Sequence, residues 1–200
     1  MSFLSSPKTA GNAFEIIGIL QIIAGIFAII DGFRDEEIDT GFAVVIGIGA
    51  IICGLIIMFF GTKVRKEIIS AKIDILATFV RIAGVTTIIS GICLVIAEVM
   101  IGADILAEAI SAIITIAIGL LIIFISTKIN DGKQTTGDKI IWVLLLVFFV
   151  LDLIFSVLSI VAGFDPLMLS QIITGICSTL VYIYLIILLF DADVKNEMGM

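Results

Sequence analysis

The sequence predicts an all-α integral membrane protein whose six transmembrane helices are arranged as three hairpin repeats of parallel orientation. Three observations predict it. The 200 residues are 61% hydrophobic and 14% charged, where soluble domains have about 45–50% apolar and about 25% charged residues. The apolar excess is gathered into runs of roughly 20 residues, the length that spans ~30 Å of hydrocarbon. The chain also resembles itself at a spacing of about 65 residues, the mark of a repeated unit.

In chain order the runs are 12–31, 41–60, 75–97, 104–126, 140–162 and 167–190. They are apolar all round and lack the period-two alternation of a lipid-facing barrel, so helices are expected. The first run is too long for a signal-peptide core and five more follow it, so it reads as a retained helix. All six belong to one membrane domain covering 1–200.

The connections alternate in charge. Segment 61–74 carries Lys63, Arg65, Lys66 and Lys72, segment 127–139 carries Lys128, Lys133 and Lys139, and the tails add Lys8 and Lys195. The opposite side has only Arg34, and Arg81 lies within a run. Lys and Arg accumulate on the cytoplasmic side, which predicts a multi-pass protein of the plasma (inner) membrane with both termini cytoplasmic. Trp142, at the cytoplasmic start of the fifth run, suits an interfacial anchor. The other side is acidic, with Asp31, Asp35, Glu36, Glu37 and Asp39 in one connection and Glu98, Asp104 and Asp165 flanking the others. Solvated loops obeying the charge rule explain this better than a cation-attracting face does. The net charge is −7 and no basic, aromatic-interleaved surface is present, which argues against nucleic acid and leaves the lipid bilayer as the expected partner.

The repeat is clearest in the first two units. Glu15, Gly18, Gly25 and Ile26 match Arg81, Gly84, Gly91 and Ile92 at a shift of 66. Gly54, Leu55, Phe59, Lys63 and Val64 match Gly119, Leu120, Phe124, Lys128 and Ile129 at a shift of 65. A weaker third copy has Ala162-Gly163-Phe164 echoing Ala24-Gly25-Ile26, and Asp193-Val194 continuing the 65-residue step. The expected hairpins are about 12–64, 75–129 and 140–194. Units of this kind are related by an axis along the membrane normal, unlike the inverted repeats of many transporters. Gly18, Gly25 and Gly32 are seven apart, as are Gly47, Gly54 and Gly61, and Gly84 and Gly91. A small residue at every seventh position keeps one narrow stripe facing a neighbouring helix. Packing inside the bundle is the expected use of these stripes; contact with a homo-oligomer or a membrane protein partner is the rival.

The segments Ala24-Gly25-Ile26, Ile46-Gly47-Ile48, Ser90-Gly91-Ile92, Ile118-Gly119-Leu120, Ala162-Gly163-Phe164 and Thr174-Gly175-Ile176 together resemble the short-repeat six-helix membrane proteins of the acid-resistance HdeD type. The resemblance covers nearly the whole chain. It implies a non-enzymatic inner-membrane protein, linked in some members to acid stress.

Ionisable groups inside a span cost a few kcal/mol on insertion scales, so each needs a reason. Glu15 and Arg81 occupy equivalent places in the first two units and are expected to face each other as a buried pair or to snorkel separately. Asp152 lies some twelve residues into the fifth run, close to the midplane. It is expected either to partner Arg81, to exchange protons, or to stay a neutral hydrogen-bonding acid. Gln21, Thr86, Thr87, Ser156 and Ser159 read as ordinary packing groups. Cys53, Cys93 and Cys177 are isolated in apolar runs and read as small buried hydrophobes. With no histidine in the chain there is no Cys/His metal set. No hydrolase, P-loop or dinucleotide fingerprint occurs, so neither an enzyme nor a cofactor is expected. Two functional readings follow: a non-catalytic protein, structural or stress-related, and a small transporter or ion- and proton-conducting protein using Glu15, Arg81 and Asp152.

Overall fold

The computed structural model describes residues 6–34, 39–102, 105–130, 136–164 and 168–200, with the side chains of 105–108 and 136 also left aside. Asp35, Glu36, Glu37, Asp104, Lys133 and the Asp165-Pro166 step lie outside the described residues, as does the side chain of Glu108. The chain is all-helical: α1 (Pro7–Arg34), α2 (Thr40–Arg65), α3 (Lys72–Met100), α4 (Ile105–Ile129), α5 (Thr136–Ala162), α6 (Leu169–Leu189) and α7 (Ala192–Glu197).

Six of these helices are long and apolar enough to cross a membrane. The helices overrun the apolar runs, most clearly at the lysine-rich ends: α1 begins at Pro7 and α2 continues to Arg65. A helix satisfies its own backbone in either solvent, so nothing stops it where the apolar run stops. The stops are local instead. At the end of α2, Glu67 takes a left-handed conformation (φ 57°) and the Ile68 amide reaches back to the Lys63 carbonyl, closing the last turn. The Asp39 carboxylate starts α2 by accepting from the Phe42 amide at 2.9 Å, the usual service of an N-cap.

In the most hydropathic window of each helix only 17–33% of residues are buried inside the protein. Ile16, Phe59, Ile113, Phe124, Phe155 and Val161 all point outward and are more than half exposed. In water such continuous apolar surface would drive association. In hydrocarbon it costs nothing.

Each helix packs on its neighbours in chain order, and α6 returns to α1. Among the six long helices the seam between α4 and α5 is the slightest of these contacts, and the α1–α2 interface the most extensive. Along that interface the two helices run in opposite senses. Gly11 lies against Arg65, Gly18 against Gly54 and Met58, Gly25 against Gly47, and Gly32 against Ala43. A β-carbon added to Gly18 would stand 2.6 Å from the Met58 amide nitrogen, and one added to Gly54 would stand 2.8 Å from the Gly18 carbonyl oxygen. Backbone cannot yield as a side chain can. Comparable approaches bring Gly84 to Gly119 between α3 and α4, and Gly175 to Ile160 and the Ser156 carbonyl between α5 and α6. The Ser156 and Thr179 hydroxyls, 3.0 Å apart, add a polar link to the last pair.

The packed core sits at one end of the bundle, beside α7. Phe14, Leu76, Leu185, Leu189, Val194 and Met198 are almost wholly enclosed there. The short helix α7 was not expected from the sequence. Asp193 and Val194, which continue the 65-residue step of the repeat and lie beyond the sixth apolar run, belong to α7. The chain breaks at Phe190, and Asp191 caps the new helix by accepting from the Asp193 amide.

These contacts give a sharp expectation. Gly54→Val should destabilise the protein by about 1–3 kcal/mol through overpacking, whereas Ile113→Val, on the outward face, should change stability by less than about 0.5 kcal/mol. Unfolding of both variants in detergent micelles checks this.

Candidate functional site

Above the core the bundle does not fill. A cavity of about 680 Å³ lies between α1, α2, α3 and α6, with Ser159 of α5 at its edge. Its α1 wall runs from Asp31 to Ile17, fourteen residues or about 21 Å at 1.5 Å per residue. That is some two-thirds of a ~30 Å hydrocarbon layer. Small side chains make the room: Ala24, Ala28, Ala43, Gly49, Ala50 and Ala83 all line it.

Aromatic rings floor the cavity. Phe79 lines it, and the Phe14 ring lies 5.3 Å from Phe79, 5.0 Å from Phe60 and 5.3 Å, edge-on, from Tyr184. Beneath the rings the α7 end is tied by charge. The Lys72 ammonium donates to both carboxylate oxygens of Asp191, at 2.9 and 2.8 Å, and to Asp193 at 2.8 Å. The Trp142 indole donates to the Leu189 carbonyl at 2.9 Å, and Lys195 rests over the Trp142 and Phe190 rings. Burial would push the Asp191 carboxyl up, but the Lys72 bonds and the Asp193 amide hold it below its ordinary value.

The rim at the other end is polar. Asp31 of α1 accepts from the Ser170 hydroxyl of α6 at 2.9 Å. Between rim and floor the lining carries Gln21, Thr86, Ser90, Ser159, Gln171, Thr174, Ser178 and Tyr182. Among the described lining residues Asp31 is the single charged one, with no lysine or arginine beside it. All three cysteines also face this space. They were expected as buried hydrophobes, and Cys53 and Cys177 are indeed buried, but Cys93 is only partly so.

The three intramembrane residues singled out in the sequence lie apart. Glu15 does not pair with Arg81. Its carboxylate accepts from Thr62 at 2.8 Å and sits 3.2 Å from the Arg65 guanidinium. The cause is the close α1–α2 approach, in which Gly61 packs on the Glu15 backbone and brings the last turn of α2 within reach. Arg81 is exposed and makes a long hydrogen bond of 3.5 Å to Ser126 of α4. Asp152 lies near the Tyr182 hydroxyl rather than near Arg81. Because Tyr182 lines the cavity, Asp152 is the only one of the three that adjoins it.

The lining residues share a pattern, although the sequence had marked Thr86, Cys93 and Cys177 only as packing groups and left most of the others unmentioned. In α6 they fall at 170–171, 174, 177–178 and 181–182, and in α3 at 79, 82–83, 86, 90 and 93. Both are one-faced helical stripes of small and polar groups. The signal was present as a stripe rather than as any single residue. No protein-family model, curated protein or solved structure matches the chain.

Two outcomes are expected from this geometry. In a double-mutant cycle, Glu15→Gln and Arg65→Gln should couple by about 0.5–1 kcal/mol, the value for a partly exposed pair, while Glu15→Gln and Arg81→Leu should be additive. For Asp191, a folded-state value below the unfolded one means stability that is fully present above the unfolded value and lost as pH falls through the folded one. Fluorescence of Trp142, the single tryptophan, should therefore hold steady from neutral pH to the ordinary carboxylate range and change below it. Asp191→Asn should show the altered emission already at neutral pH.

Proposed function

We propose that this chain is a non-catalytic integral membrane protein that receives a small solute in the cavity between α1, α2, α3 and α6. The observation that carries the reading is the column of hydroxyl, amide and thiol groups extending into a bundle whose outer surface is apolar. Polar groups buried in a membrane core are costly unless they meet partners or water. A cavity of this size also falls in the range of small-molecule sites. Among the described lining residues the carboxylate of Asp31 holds the Ser170 hydroxyl at the rim, and no histidine or amine base accompanies the pair, which favours binding over catalysis.

The architecture we infer for it is three hairpins of one orientation, with both termini cytoplasmic and a place in the plasma membrane. Support comes from the alternation of loop charge and from the packing itself. Gly18 meets Gly54 as Gly84 meets Gly119, at shifts of 66 and 65. In the third pair Gly163 meets Ile172 much as Gly25 meets Ile51. The short-repeat proteins of the acid-resistance HdeD type remain the family to which we compare this plan, on the Gly-Ile segments alone. A second reading, ion or proton conduction, draws support from the approach of Asp152 to Tyr182 at the cavity wall. Glu15 and Arg81, engaged elsewhere, contribute nothing to it.

The native thiols test the cavity. A variant keeping only Cys93 (Cys53→Ser, Cys177→Ser) should react with a membrane-impermeant maleimide applied to one side of the membrane and not to the other. A cysteine introduced at the outward-facing Ile113 should stay unlabelled. Labelling of Cys93 no faster than that of Ile113→Cys would sink the proposal.

A further inference from the structure

The charge pattern of the cavity narrows what it takes. Among the described residues its lining holds one carboxylate, Asp31, and no cationic side chain. Asp31 is half-buried at the rim and held in place by the Ser170 hydroxyl. Arg34, one turn further along α1, is exposed and does not line the space. A carboxylate at the mouth of a low-dielectric crevice projects its field inward, because the walls focus field lines that bulk water would screen. An anion entering would lose hydration and meet the repulsion of Asp31, with only neutral hydroxyl and amide donors to offset it. A cation would exchange water for the carboxylate and for the hydroxyl and amide oxygens below it.

The remaining walls specify the rest of the ligand. Ile17, Ile46, Ile57, Phe42 and Phe79 give apolar surface on which a bare metal ion would gain nothing. Among the described residues no group of acidic or thiol side chains is placed to hold a metal ion. Aromatic faces, by contrast, attract quaternary and protonated amines, and Phe42, next to the Ala43 that packs on Gly32, places an aromatic residue at the Asp31 end. Resting on the reading of the cavity as a solute site, we infer that it binds small organic cations, amines with an apolar body, whose charged group lies beside Asp31 and whose body points toward Phe79.

Two thiol reagents of opposite charge and similar size test this in the Cys93-only protein, in membranes. One is trimethylammonioethyl methanethiosulfonate and the other sulfonatoethyl methanethiosulfonate, each rate divided by that with a free thiol in water. The cationic reagent should modify Cys93 at least about tenfold faster than the anionic one, the effect of a single unit charge at close range in a protein interior. Asp31→Asn should abolish the preference and Asp31→Glu restore it. Benzyltrimethylammonium should protect Cys93 in the parent protein and not in Asp31→Asn. Equal rates for the two reagents, or a preference that survives Asp31→Asn, would overturn the organic-cation assignment while leaving the solute cavity standing. Failure of both reagents would instead overturn the cavity reading on which the assignment rests.

Discussion

The approach of α1 to α2 at backbone distance governs the rest of the molecule. Helices in hydrocarbon gain nothing from hiding apolar side chains, because lipid is as apolar as they are. Association must come from close contact, and the absence of β-carbons at Gly18 and Gly54 permits contact between the two backbones themselves. Once that pair is zipped from Gly11–Arg65 to Gly32–Ala43, its register is fixed. The position of Arg65 beside Glu15 follows from it, and so does the presentation of Ala24, Ala28, Ala43 and Ala50 to the interior.

Those alanines explain why the bundle is dense at one end and hollow at the other. Near α7 the interior positions hold Phe14, Phe60, Phe79 and Leu76, whose volume fills the space between helices. Toward Asp31 the corresponding positions hold Ala, Gly, Ser and Thr, which bring backbones together in pairs but cannot close a ring of helices. The volume left over is the cavity. Its polar groups are affordable because the space they border can hold hydrogen-bonding partners.

The ends also differ in what secures them. At the α7 end, Lys72 gathers Asp191 and Asp193, and Trp142 holds the Leu189 carbonyl, so the final helix is latched beneath the aromatic floor. At the other end, the Asp31–Ser170 bond joins α1 to α6 across the rim. The interlocked rings close the cavity toward α7, and among the described residues the Asp31–Ser170 bond is the polar link across its other end.

Much of this was legible in the amino-acid order. Six helices long and apolar enough for a membrane follow from run length and hydropathy alone, because a backbone in lipid has no other way to satisfy its hydrogen bonds. Glu15, Arg81 and Asp152 stood out in the sequence as charges needing a reason. Of the alternatives open for them the Glu15–Arg81 pair is not formed: Glu15 meets Thr62 and Arg65, Arg81 is exposed, and Asp152 lies by Tyr182. Partner choice depends on helix rotation and tilt, and a helix apolar all round carries little in its sequence to fix either. The same reason hid the cavity: Gln21, Ser90, Thr174 and Ser178 are unremarkable singly, and only the rotation of four helices turns their stripes toward one space. The sequence by itself determined that the chain is helical and suited to a bilayer. The tertiary structure alone decided which faces meet, because in an apolar solvent that choice rests on steric fit rather than on hydrophobicity.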